Sequence, residues 1–131
     1  IGIAIDFSGE DEKIIQNALM IGNKKATYTL IHVVESAAAR YFGKITLDHE
    51  TQLDNDNLLK YREKLEQMNY KAETQIGFGN PASELAKIIS EQNIDLLVMG
   101  AHGHRGLKDI IFGSTVDALR HKIKIPVLVV K

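Results

Sequence analysis

Apolar residues recur along this chain in two alternating rhythms, and the alternation is regular enough to lay out the elements. Ile1 to Asp6 is a short apolar run, the pattern of a strand covered on both faces in a parallel sheet. Ser8 is placed to cap a helix, with Glu10, Asp11 and Glu12 in a first turn where acidic side chains complement the helix dipole. Ile14, Ile15, Ala18 and Leu19 then fall on one helical face. Thr27 to Val34 reads as a second strand. The period lapses between about Ser36 and Asn57, which predicts a variable loop with room for a short helix. Leu58, Tyr61, Leu65 and Met68 step by three and four, predicting an amphipathic helix over Asn55 to Met68. Tyr70 to Ile76 alternates as a third strand. Asn80 caps the next helix and Pro81 takes its first position, with Leu85, Ile88 and Ile89 inward. Ile94 to Met99 is the fourth strand. Thr115 to about Lys122 is a helix with Val116 and Leu119 inward. Ile125 to Val130 is the last strand, opened by Pro126, which sheets tolerate at a strand start or edge.

The order βαβαβαβαβ predicts an α/β fold: a three-layer sandwich with a five-stranded parallel open sheet and helices on both faces, flavodoxin-like or Rossmann-like in class. Such sheets bind ligands beyond the carboxyl ends of the strands, where the strand order reverses. With the order 3-2-1-4-5 the reversal lies between the first and fourth strands. Asp6 ends one of these and Gly100 the other, so the two most site-like features share one crevice.

Composition narrows the partners. The 131 residues fit one domain able to bury a core, with 44% hydrophobic and 25% charged residues. A net charge of −1 offers no electrostatic footprint for nucleic acid or an anionic membrane. There are no cysteines, hence no disulfides, thiol catalysis or thiolate metal sites. No apolar run approaches the roughly 20 residues of a membrane span, and no signal peptide is visible. The reading is a cytoplasmic domain without membrane contact. Because the chain begins at Ile1 rather than methionine, it reads as lacking residues at the front or as a piece of something longer.

The densest chemistry lies in GAHGHRGLKDIIFGST, Gly100 to Thr115. The strand ending at Met99 stops at Gly100, and Gly103, Gly106 and Gly113 follow. Glycine lets backbone N–H groups approach an anion with no Cβ in the way. Gly113, Ser114 and Thr115 then open a helix, whose first N–H groups favour a phosphate. The alternative is a tight loop whose glycines only serve turns. Arg105 and Lys108 offer charge to a ligand or simply a solvated surface.

Gly100, two residues, Gly103, nine residues, Gly113 and Ser114 resembles the nucleotide-binding motif of the universal stress protein family. The resemblance extends through IGIAIDFS, LIHVVES, GNPASELAKIISEQNIDLLVMG and IPVLVVK, nearly the whole chain outside about Ser36 to Asn57. It implies that ATP or AMP is held by backbone amides of the motif and the Ser114 hydroxyl. Met99, His102, His104, Thr115 and Val116 flank that cradle. His104 stands where many relatives have Arg or Lys. The resemblance also implies that Asp6 bonds the adenosine end, although an Asx cap on the following loop explains the same residue. Ala4, Ile5 and Val33 would line an adenine slot mainly through main-chain groups, their side chains being core. Mg²⁺ or Mn²⁺ would enter only on the phosphates. The implied function is an adenine-nucleotide-binding regulatory or stress-response domain, a homodimer through Ile125 to Val130. That strand is also an apolar edge needing cover. The rivals are a slow ATP hydrolase and a nucleotide-free dimeric module or sensory domain of a larger transporter or kinase.

Other motifs are weaker. FSGEDE lacks the second glycine and final serine of a pyrophosphatase loop. Gly77-Phe78-Gly79-Asn80-Pro81-Ala82 imitates a dinucleotide loop, but follows the third strand, and helix capping explains it better. No Walker loop is present. His32, His49, His102, His104 and His121 have no metal-ligand spacing. No serine shows a His/Asp relay, so no catalytic residue is assigned.

Overall fold

The computed structural model describes residues 1–35, 49–101 and 114–131. Strand β1 (Gly2–Ala4) is followed by helix α1 (Asp11–Gly22), a 3₁₀ turn (Asn23–Lys25) and β2 (Thr27–Val34). Then come α2 (His49–Gln67), β3 (Lys71–Phe78), α3 (Pro81–Glu91), β4 (Leu97–Gly100), α4 (Ser114–Leu119) and β5 (Val127–Val130). The five strands form one parallel sheet in the order β3-β2-β1-β4-β5, as the element pattern predicts.

Strand alternation splits the core into two layers. Ile3, Ile5, Tyr28, Leu30 and Val98 pack with Ile14, Ile15 and Ala18 of α1 and Leu58 and Leu65 of α2. On the other face Ile31, Leu97 and Met99 pack with Ala82, Leu85, Ile88 and Ile89 of α3 and Leu119 of α4. The central strands are covered on both sides, which is why they read as apolar runs.

Several boundaries differ from expectation. The Ser8 cap does not form: α1 begins at Asp11 with Glu10 in the cap position and no side-chain cap bond. Ser8 belongs to the preceding turn, donating its N–H to Asp6 Oδ1 at 3.0 Å. The Asn80 cap does form, accepting the Ser83 N–H at 3.1 Å with Pro81 in the first turn. Strand β4 starts at Leu97 rather than Ile94 because the residues after α3 still close that helix. Gln92 N–H bonds Ile88 O, Ile94 N–H bonds Ile89 O, and Asn93 sits at φ 51°. β5 runs from Val127, with Pro126 O accepting the Leu97 N–H.

The largest difference is α2. It starts at His49, inside the stretch predicted as a loop. The inward stripe of Leu58, Tyr61 and Leu65 continues backwards through Asp54 and Thr51 at the same three-and-four spacing. Those two side chains are polar, so hydropathy loses the period while the helix persists. Thr51 is buried, and Asp54 Oδ2 lies 3.4 Å from His32 Nε2 on β2.

Candidate functional site at the carboxyl ends of β1 and β4

β1 lies between β2 and β4, with Ile3 opposite both Leu30 and Val98. Beyond Ala4 the ladder runs out. Ile5 N–H still donates to Ile31 O at 2.8 Å, but Ile5 O is met by His32 Nδ1 at 2.9 Å. Thr29 N–H bonds Ile1 O and Ile31 O takes Ile5 N–H, so odd residues of β2 address β1. By that alternation Val33 directs its N–H and C=O to the side where β1 has ended. Its side chain, with those of Ala4 and Val116, packs half-buried around the layer containing Met99.

The structure therefore brings Ala4, Val33, Met99 and Val116 to one face of the sheet. Ile5 goes to the other: its side chain is buried in the α1–α2 layer, and its N–H and C=O both have partners. Gly100 closes β4, and Ala101 N–H bonds Val130 O at 2.8 Å. Ser114 is exposed as the first residue of α4, and Thr115 is half-buried. His102, Gly103, His104 and Gly113 lie outside the described residues, as do Arg105 and Lys108.

Asp6 occupies the turn that leaves β1. The Asx geometry is present: Asp6 Oδ1 accepts the Ser8 N–H, and the intervening Phe7 adopts φ 58°. A bulky residue in the left-handed region costs on the order of 1 kcal/mol or more, so the surrounding contacts must hold it. Phe7 packs on His32 with ring centroids 4.5 Å apart. His32 in turn reaches Asp54 of α2.

Asp11 is the residue that sequence reasoning misplaced. It counts there only as a first-turn acid that complements the helix dipole, yet it is fully buried. The clue lay in the helical spacing: Asp11, Ile14, Ile15 and Ala18 share the inward face of α1. Asp11 Oδ1 accepts the Asp6 N–H at 3.4 Å, and Oδ2 accepts the Tyr61 hydroxyl at 3.4 Å. Burial, opposed by the backbone hydrogen bond from Asp6 and reinforced by the nearby Asp6 carboxylate, pushes its carboxyl up to about 7. Burial, with the charge of Asp11, also raises the Tyr61 phenol.

A cleft of about 370 Å³ opens beside this loop, lined by Phe7, Asn57, Lys60, Tyr61 and Lys64. Lys64 pairs with Glu12 at 2.6 Å across the α1–α2 seam. Among the described residues no three His, Asp or Glu side chains converge on a metal site. Among them, too, no helix is long and apolar enough to cross a membrane.

Comparison with known proteins gives the family and the fold. The model of the universal stress protein family matches residues 1–131. Universal stress protein MJ0577 of Methanocaldococcus jannaschii is 33% identical over 67% of this chain, a match that spans 51% of that relative's length. Universal stress protein A homolog 1 of Coxiella burnetii is 28% identical over 97% of this chain and 92% of its own. The solved structure of MJ0577 superimposes with a TM-score of 0.77 and 28% identity, covering 99% of this chain and 94% of that one. Two more distant structures share the fold. One is a universal stress protein from Archaeoglobus fulgidus in complex with dAMP (TM-score 0.73, 16% identity, coverage 99% and 95%). The other is a universal stress protein in complex with cAMP (TM-score 0.68, 18% identity, coverage 99% and 94%).

Proposed function

The chain belongs to the universal stress protein family, and from that premise we propose that it is a regulatory domain binding ATP or AMP at the carboxyl ends of β1 and β4. The observation that carries the reading is topological. The strand ending in an acid and the strand ending in the glycine motif are sheet neighbours, at the point where the strand order turns back. Ligands of open parallel sheets bind at that point.

The residues present suit an adenine nucleotide. Val33 offers a donor and an acceptor on its main chain, the pair that an adenine edge demands. Ala4, Met99 and Val116 supply apolar surface on the same face. Asp6 keeps one carboxylate oxygen beyond its Asx bond for the ribose. Gly100, Gly103 and Gly113, flanked by His102 and His104, would admit phosphates to backbone amides, with the hydroxyls of Ser114 and Thr115 as further donors. Mg²⁺ or Mn²⁺ would arrive on the phosphates, since hard cations prefer oxygen ligands and keep their waters. Fold relatives with dAMP and cAMP support the same ligand class. Such a domain reports adenylate to a partner and would work in the cytoplasm.

We also assign a homodimer to the β5 edge. Pro126 O and Val130 O both face β4, so Val127 and Val129 turn their N–H and C=O groups outward. A second copy related by a two-fold axis would satisfy them.

Gly113→Val tests the site. It puts a branched side chain where phosphate must approach, so the folded variant should lose ATP binding. A folded variant that binds ATP like the parent would refute the assignment.

A further inference from the structure

We propose that Asp11 is a positioning residue: its buried carboxyl fixes the Asp6–Phe7 turn at the end of β1, and the proton it carries sets the adenine-nucleotide affinity. The proposal rests on the nucleotide reading above and deepens it.

The geometry makes Asp11 the joint between three elements. One oxygen holds the Asp6 amide of the turn and the other holds the Tyr61 hydroxyl of α2, while the backbone belongs to α1. The turn it holds is strained at Phe7 and would relax without an anchor. Asp11 is fully buried, so losing a partner leaves its carboxyl short of a hydrogen bond.

The groups around it make its charge matter. The Asp6 carboxylate of the turn faces it within hydrogen-bonding reach. On α1, Glu12 pairs with Lys64 of α2 and Glu10 with Lys13, so these charges are locally matched. His32 of β2 stacks on Phe7 and contacts Asp54 of α2. Lys24 and Lys25 of the 3₁₀ turn follow the far end of α1. β1, β4 and β5 carry only apolar residues or glycine over their spans. Among the described residues no cation directly neutralises the Asp6–Asp11 pair. Protonated, Asp11 donates to the Asp6 carboxylate and still accepts the Asp6 N–H, and both carboxyls stay in place. Ionised, it sets two like charges side by side and adds a buried anion near an anionic ligand. The nucleotide-competent turn is the protonated one, and with Asp11 titrating at about 7 it is depleted as pH rises through neutrality.

The test is AMP affinity, measured by calorimetry on the parent, Asp11→Asn and Tyr61→Phe at about pH 6 and about pH 8. AMP's own titration is common to all three and cancels in the ratios. Asn is a permanently neutral isostere. If only protonated Asp11 is competent, the parent weakens about tenfold relative to Asp11→Asn between those pH values. Tyr61→Phe removes a donor to the ionised carboxyl, so its pH midpoint moves upward from the parent's. This keeps the test decisive should Asp11→Asn fail to fold. Profiles of the folded variants that run parallel to the parent's overturn the role of Asp11 and leave the nucleotide site standing. A parent that binds no AMP at either pH overturns the site and this proposal together.

Discussion

Replacing Asp11 by Asn in the ligand-free protein should stabilise it at alkaline pH and do little in acid. The carboxyl is fully buried, and its proton affinity rises from the ordinary 3.8 to about 7, with burial as the first cause. A folded-state value above the unfolded one means that the neutral form is favoured by folding. The stability this provides is complete below about pH 4 and is lost as pH rises through about 7. The full span, about three decades at roughly 1.4 kcal/mol each, is about 4 kcal/mol. Between about pH 5 and about pH 8 the part lost is about 2.5 kcal/mol. Asn has the shape of the neutral acid, with one oxygen that accepts and an NH₂ that donates. It carries no titrating proton, so the difference between variant and parent isolates this one group from all others. Urea denaturation across the range should show the variant gaining about 2.5 kcal/mol on the parent from acid to alkaline pH, at unchanged m. A difference that is constant with pH would refute the raised proton affinity. A variant that loses ground as pH rises would mean that Asp11 is held as a stabilised anion.

Three further outcomes test the packing and the edge. Gly22→Ala should cost about 1–3 kcal/mol in denaturant melts by overpacking, because a Cβ there meets Ile1 Cδ1 and lies 2.7 Å from Tyr28 Oη. A neutral or stabilising result would mean that the α1 C-terminus yields easily. Leu58→Ala, at a fully buried position of α2, should cost about 2–5 kcal/mol, whereas a change below about 0.5 kcal/mol would remove α2 from the core. Val129→Pro removes an N–H that points away from β4 and should give a folded monomer by light scattering where the parent is a dimer. A monomeric parent refutes the β5 interface.

How far the sequence could be read follows from where its periodicity is pure. β1 and β4 are apolar on both faces, β2 is largely so, and α1 and α3 keep their stripes, so the strand order and the pairing of β1 with β4 were legible. The start of α2 was not, because polar Thr51 and Asp54 occupy its stripe, Thr51 buried and Asp54 reaching His32. Ser8 looked like a cap because serine serves helix caps and local side-chain turns alike, and here its Oγ accepts the Glu10 N–H at 3.4 Å instead. Only the backbone, with Phe7 left-handed, decides between them. Asp11 was hidden by its charge: its spacing pointed inward, and its residue type pointed out. The candidate site divides in the same way. Ala4, Val33 and Met99 share a face as strand alternation requires, and Val116 of α4 packs against it. Ile5 cannot, since it follows Ala4 on the opposite side.

The central claim, an adenine nucleotide at the end of β1 and β4, is tested most directly by equilibrium titration of the parent with ATP, followed by competition with AMP and GTP. ATP should bind, AMP should displace it, and GTP should displace it poorly. A slot lined by main-chain groups leaves the wrong base's polar edge unpaired. Failure of ATP to bind, or displacement by GTP as readily as by AMP, would contradict it.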